Sequence, residues 1–301
     1  MKLKSFLLAA VACSAFAISS AHASLLISYN TTSLGLFSDT GSLITSYSTS
    51  LVNPQGVAID NSGNVYVAEF GTPGLFDGNV KMYDLVSGAF IRNVVAGSYN
   101  FTGLAFNPAN AGEIIVVGQY AAGASQLGRW NTNATGSAAA VNSGLGSGYT
   151  GAFTDGTNIY LGNPALSGII QSFDSTALSG GAVVFGNPFT PAGNPSGITG
   201  FGGERYYTTV QGDIYRQSST TALMTGQGGL YGVTNDGTNL WVADYTTGGG
   251  RVSQITTAGG LVSSFNLANA AYIAYIPEPS SAGLITLTGL ALAGIRRRRN
   301  A

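Results

Sequence analysis

Gly56-Val57-Ala58-Ile59-Asp60-Asn61-Ser62-Gly63-Asn64-Val65-Tyr66-Val67-Ala68-Glu69 has the pattern of two short strands around a tight turn. A glycine opens a short apolar run, a turn of Asp, Asn, Ser and Gly follows, and a second run carries β-branched and aromatic residues. Asn, Asp and Gly tolerate positive φ and suit tight hairpin turns. The unit recurs as Gly103-Leu104-Ala105-Phe106 with Ile114-Ile115-Val116-Val117, and as Gly151-Ala152-Phe153-Thr154 with Ile159-Tyr160-Leu161. It recurs again as Gly197-Ile198-Thr199 with Arg205-Tyr206-Tyr207-Thr208, and as Gly232-Val233-Thr234-Asn235 with Leu240-Trp241-Val242-Ala243-Asp244. The opening glycines are spaced by 47, 48, 46 and 35 residues. Four short strands in a period of about 40–50 residues are the pattern of a β-propeller blade.

Each unit has room for two further strands. Asn79–Tyr83 and Phe90–Val95 follow the first copy across Ser87-Gly88, and Arg251–Ile255 and Leu261–Phe265 follow the fifth across Ala258-Gly259-Gly260. No helical periodicity of useful length interrupts them. The ends supply a sixth unit: Leu25–Tyr29, Leu34–Phe37 and Leu43–Tyr47 read as its second to fourth strands, and Ala271-Tyr272-Ile273-Ala274-Tyr275 as its innermost first strand. Joining the termini in one blade closes a ring and removes an open sheet edge. The expectation is an all-β, six-bladed propeller over residues 24–276, preceded by a signal peptide at 1–23 and followed by a sorting segment with a transmembrane helix at 277–301.

The two ends read as addresses. Lys2 and Lys4 precede an apolar stretch from Phe6 to Ile18, and Ala21-His22-Ala23 fits small-x-small signal cleavage after Ala23. A lipoprotein signal ending at Cys13 is disfavoured by Ala10 where that motif wants Leu. Both the single Cys and the single His fall in this leader. The body from Ser24 to Ile276 then carries six basic residues against twelve acidic ones, a net charge of −6. That argues against a nucleic-acid partner, which needs a basic footprint. Without Cys there is no disulfide framework, and stability must come from the core.

The same composition narrows the chemistry. Lacking His and Cys, the body has no imidazole base, no thiol nucleophile and no common zinc ligand other than carboxylate. Glu69 and Asp244 end equivalent strands, with Gln119, Asn163 and Thr209 near the same place in the other units. They are a candidate polar ring at one channel mouth, with calcium as the hard cation such oxygens would hold. The alternative is that each caps the backbone of its following loop. No metal site or other cofactor is assigned, and Asp60–Asn64 reads as a hairpin turn rather than a calcium loop. Loops expected on one face contain Phe70, Phe76, Tyr99, Tyr120, Tyr149, Phe189, Tyr231 and Tyr245 among Asn, Thr, Ser and Gly. Of these Phe76, Tyr120, Tyr149 and Tyr245 are the candidate binding face, since exposed rings among neutral groups suit stacking on a sugar. The alternative is that the rings plug the space between blades.

Two resemblances complete the reading. Asn53-Pro54-Gln55-Gly56 through Glu69, with Gly-Asn-Val-Tyr-Val-Ala at 63–68, resembles an NHL-type propeller repeat, as does the fifth copy with Trp-Val-Ala-Asp at 241–244. Pro277-Glu278-Pro279, the 16-residue apolar run 280–295 and Arg296-Arg297-Arg298-Arg299 closely resemble the PEP-CTERM sorting signal of Gram-negative bacteria. As a helix the run spans about 24 Å, short for a hydrocarbon core of about 30 Å, with the arginines held on the cytoplasmic side. The resemblance implies export, transient inner-membrane anchoring, and processing by the membrane protease exosortase on the way to the cell surface. A plain membrane anchor is the alternative. Two function classes follow. One is a non-catalytic surface or matrix protein that binds extracellular polysaccharide or a surface protein. The other is a secreted hydrolase, lyase or lactonase using carboxylates and a metal.

Overall fold

The structure is a computed structural model that describes residues 24–47, 51–108, 112–120, 125–133, 138–145, 148–163, 170–176, 178, 193–246 and 249–276. The leader with Ala21 and Ala23, and the tail with Pro277, Glu278, Pro279, the apolar run 280–295 and Arg296 to Arg299, lie outside the described residues. Among the described residues there is no helix, and none long and apolar enough to cross a membrane. The unit Leu25–Ile276 is all-β.

Its strands fall into five sheets. The first has the order β21-β1-β2-β3, with β1 (Ser24–Tyr29), β2 (Ser33–Ser38), β3 (Leu43–Ser46) and β21 (Ala270–Ile276). The second runs β10-β9-β8-β7-β6-β5-β4, with β4 (Pro54–Ile59), β5 (Asn64–Glu69), β6 (Gly78–Asp84), β7 (Phe90–Phe106), β8 (Glu113–Tyr120), β9 (Ser125–Asn131) and β10 (Ala138–Leu145). The third is β11 (Ala152–Thr154), β12 (Asn158–Gly162) and β13 (Ile170–Asp174). The fourth is β14 (Pro195–Phe201), β15 (Glu204–Thr209) and β16 (Ile214–Arg216), with Met224 bridged to Ile214. The fifth is β17 (Leu230–Asn235), β18 (Asn239–Asp244), β19 (Arg251–Thr256) and β20 (Leu261–Asn266). The paired strands registered within each sheet are antiparallel, as local hairpins dictate.

One difference from the sequence expectation concerns β7. The runs at 90–95 and 103–106, read there as separate strands with Tyr99 in a loop, form one 17-residue strand. Its first half pairs with β6 and its second with β8, so it leaves one group of four strands and opens the next. Gly97, at φ +64°, lies between the halves.

Burial explains the composition of the strands. Second strands are sandwiched between neighbouring sheets, so β5 and β18 are buried from their second residue onward and read as continuous apolar runs. Fourth strands face outward: β20 is exposed along most of its length, and Leu43, Ile44, Phe90, Ile91, Leu261 and Val262 all stand in the open. Trp241 is the largest fully buried side chain, and its Nε1 donates to Asp236 at 3.0 Å. That aspartate closes the turn before β18: Oδ1 accepts from the amides of Thr238 (2.9 Å) and Asn239 (2.7 Å). Asp60 and Asp155 do the same for Asn64 and Asn158, each also accepting from the tyrosine two residues further on. Burial raises the pKa of these three aspartates, but the hydrogen bonds outweigh it and hold each below the usual carboxylate range.

The repeat glycines are explained by the first strands. β4 packs beside β7, β7 beside β11, β11 beside β14, β14 beside β17, β17 beside β21, and β21 beside β4. A Cβ on Gly56, Gly103, Gly151, Gly197 or Gly232 would come within 3.0 Å of the backbone of the next first strand. In β4, β7, β14 and β17 the ladder register also slips at this glycine, a bulge that turns the strand into the close approach.

Candidate functional site

The position just before each repeat glycine distinguishes one part of the axial region from another. These positions hold Gln55, Thr102, Thr150, Ser196, Tyr231 and, in β21, Ala271 before Tyr272. Thr102 Oγ1 donates to the Tyr149 carbonyl at 2.6 Å, Thr150 Oγ1 to Ser196 at 3.2 Å, and Ser196 Oγ to Leu230. These hydroxyls stitch β7 to the segment entering β11, and so on to β14 and β17. Gln55, Tyr231 and Ala271 occupy the same place in the remaining strands. There a cavity of about 220 Å³ opens, lined by Asn30, Asn53, Pro54, Gln55, Tyr231, Tyr245, Ala271 and Tyr272.

Three tyrosines form the apolar wall. Tyr231 and Tyr245 meet edge to face at 5.5 Å, and Tyr231 and Tyr272 lie 6.2 Å apart. Tyr231 and Tyr245 are half-buried, whereas Tyr272 is 6% exposed. Burial pushes the Tyr272 phenol well above its ordinary pKa, with the neighbouring Tyr231 adding to the effect, so it stays a neutral hydroxyl. The polar wall is amide. Asn53 Oδ1 accepts from Gln55 Nε2 at 3.2 Å, and Asn30 Oδ1 accepts from Asn269 Nδ2 at 3.1 Å. Asn30, Asn53 and Asn269 all sit at positive φ (54°, 52° and 54°), where Asn is among the few side chains that fit. Among the described residues no charged side chain lines the cavity.

The residues expected to form the binding face divide. Tyr245 lines this cavity. Phe76 stands half-buried in the loop after β5 at φ 51° and does not reach it. The backbone of Tyr120 pairs with Tyr99, and its side chain lies outside the described residues, as does Phe189. Tyr149 corrects the expectation of an exposed ring. It is 2% exposed in a core cluster with Leu145, Leu161 and Phe173, and its hydroxyl donates to Gln171 while Asn163 bonds to it. The Thr102 hydroxyl also holds the Tyr149 carbonyl, so backbone and ring of this residue are both engaged.

The polar ring members are held separately by their own surroundings. Glu69 is 1% exposed and accepts from the Val52 amide and Lys81 Nζ, both at 2.8 Å. Asp244 accepts from the Gly228 amide at 3.3 Å and from Thr246. Thr209 Oγ1 accepts from the Asp213 amide at 3.1 Å. Asn163 is buried against Tyr149, and Gln119 is half-buried opposite Asn100 in the β7–β8 ladder. Loop capping thus occupies Glu69, Asp244 and Thr209, in two cases reaching back to the preceding loop. Among the described residues no three His, Cys, Asp or Glu side chains gather as a cation site. Tyr272, Asn30, Asn53 and Gln55 escaped the sequence reading. The signal for Tyr272 was there: in register, Gly232 meets the Ala271 carbonyl and Ile273 amide as Gly197 meets those of Tyr231 and Val233, so Tyr272 occupies a glycine's place.

No protein-family model and no curated protein matches the chain. Among solved structures it is similar to TolB from Acinetobacter baumannii, with 12% identity and a TM-score of 0.63 over 85% of this chain and 66% of TolB. It therefore spans about two thirds of TolB's length. A computationally designed protein, Ika8, is 13% identical with a TM-score of 0.47, over 82% of this chain and 74% of that one. The likeness to TolB shows the fold alone, an all-β, β-propeller-like architecture.

Proposed function

We propose that this is an exported, surface-sorted, non-catalytic binding protein, a six-bladed propeller whose ligand is a neutral extracellular polysaccharide. The observation that carries the reading is the uncharged mouth made by Tyr231, Tyr245 and Tyr272 with Asn30, Asn53 and Gln55. Aromatic faces beside amide donors and acceptors recognise hydroxyl-rich, uncharged rings. A surface-protein partner fits a small concave pocket less well, because protein interfaces bury about 800 Å² per partner. The six-blade count is supported by the closed succession of first strands from β4 to β21 and by the glycine period.

Sorting rests on the ordered tail at 277–301 and its resemblance to exosortase substrates. In this reading the secretion machinery removes residues 1–23, the run 280–295 holds the chain in the inner membrane, and cleavage near Pro277-Glu278-Pro279 releases it to the surface. A glycan array probed with the protein, with and without calcium, tests the binding role. Specific neutral-glycan binding is the expected result, and calcium-dependent binding or turnover abolished by Glu69→Gln with Asp244→Asn would replace it with the carboxylate-enzyme reading. Mass spectrometry of the surface form tests sorting: the mature chain should lack Arg296 to Arg299.

A further inference from the structure

We infer that the cavity between the starts of β21 and β4 is a subsite for a single neutral sugar unit, the end or a side branch of the polysaccharide, and that Tyr272 donates to it. This inference rests on the binding role proposed above and adds where the sugar sits and what holds it.

The first ground is a break in the repeat. Five first strands place a glycine against the next strand, and each leaves no room for even a Cβ. The sixth places Tyr272 there: its ring packs in the core cluster that also holds Val57 of β4, and a cavity opens beside it at the starts of β21 and β4. The second ground is an unsatisfied group. The Tyr272 hydroxyl is buried and has no hydrogen-bond partner among the described residues. A buried polar group without a partner is costly, and natural proteins keep few of them without a reason. The hydroxyl has less than 1 Å² of open surface beside the cavity, so a ligand hydroxyl would supply the missing acceptor on a small shift of the Tyr272 ring. The third ground is chemical fit. Amides of Asn30, Asn53 and Gln55 offer donors and acceptors to adjacent hydroxyls, while Tyr231 and Tyr245 offer ring faces and edges. A carboxylated or phosphorylated unit would enter with no cationic partner in the lining. A volume of about 220 Å³ is below the roughly 300–1,000 Å³ usual for small-molecule sites, so it suits one ring rather than a length of chain.

The test uses the full chain and an array of neutral and acidic glycans, followed by titration of the best-bound neutral probe. Tyr272→Phe keeps the ring and removes the hydroxyl. It should weaken the probe by about 3- to 10-fold, the loss of one hydrogen bond, while the melting temperature stays level or rises. Tyr245→Ala should weaken the probe by about tenfold or more, as loss of an aromatic anchor does. Val86→Ser, on an outward turn, should leave affinity unchanged. A merely structural Tyr272 would lower stability and affinity together, and that outcome overturns the inference. So does neutral-glycan binding that survives both tyrosine changes, which leaves the binding role intact but moves it elsewhere on the molecule. A chain that binds no neutral glycan, or only acidic ones, overturns the underlying role and the subsite with it.

Discussion

Two arcs of the axial mouth are built from the same repeat and do opposite things. From β7 through β11 and β14 to β17, Thr102, Thr150 and Ser196 bind each first strand to the segment beyond it. From β17 through β21 to β4, the equivalent positions carry Tyr231, Ala271 and Gln55, a cavity opens, and the link between β21 and β4 is made instead by Ser28 Oγ, which donates to the Gln55 carbonyl at 3.5 Å. A repeated fold can therefore stitch one part of its ring and open a cavity in another by changing two adjacent positions per unit. The open arc is also where the first and last strands of the unit meet: the Tyr272 amide donates to Ser28 Oγ at 3.1 Å across 244 residues of sequence.

The most severe way to break this comparison is to remove the strands that the open arc closes on. Deleting Ser24 to Tyr47 leaves β21 a lone strand and opens an edge, so the whole unit should lose its cooperative melting transition by circular dichroism. An unchanged melting temperature would refute closure through the termini. Next in size is Tyr272→Ala, which empties a nearly fully buried site. It should cost about 3–5 kcal/mol in denaturant unfolding, as removal of large core rings does. A change below 1 kcal/mol would mean that the ring does not hold the open arc together.

On the stitched arc, Gly151→Ala drives a methyl into the Ser196 carbonyl. Overpacking of this kind should cost about 1–3 kcal/mol. Acid provides a further comparison. Asp60, Asp155 and Asp236 are held below the ordinary carboxylate range, so their contribution is present above the unfolded-state pKa of about 4 and is lost as pH falls through their lower folded values. Their turns join β4 to β5, β11 to β12 and β17 to β18, whereas β21 and β1 have no turn between them. Hydrogen exchange below pH 4 should rise first beside those turns and later in the closing sheet. The smallest contrast is Thr150→Val against Tyr231→Phe. The first removes a stitching hydrogen bond and should cost about 1 kcal/mol. The second should stay within about 0.5 kcal/mol.

Much of the architecture was legible because it is periodic. A glycine every 35 to 48 residues marks a first strand, since only glycine permits the approach of the next strand's backbone. The pairing of Ala271–Tyr275 with the N-terminal strands followed from the need to close a sheet. The site was less legible. Tyr149 and Tyr245 look alike as aromatics among polar neighbours, yet one folds into the core and the other lines the mouth. Nothing in local composition separates them: the partners that surround Tyr149, among them the Thr102 hydroxyl on its carbonyl, come from 47 residues away and from other strands. Asn30 and Asn53 are ordinary turn residues in sequence and Gln55 an ordinary strand residue, and they become a cavity wall only when the first and last strands of the unit are brought together.

The position of β21 has a mechanical consequence. Its first residues border the cavity, and its last, Ile276, is where the chain leaves toward residue 277. On the binding and anchoring roles proposed above, a pull between a molecule held at the mouth and a tether beyond Ile276 would run lengthwise along this single strand. Such a load shears the β21–β1 ladder, straining its hydrogen bonds together instead of peeling them off one at a time. A strand placed at the centre of the ring, gripped by β1 on one side and by β17 and β4 at its faces, is suited to carry it.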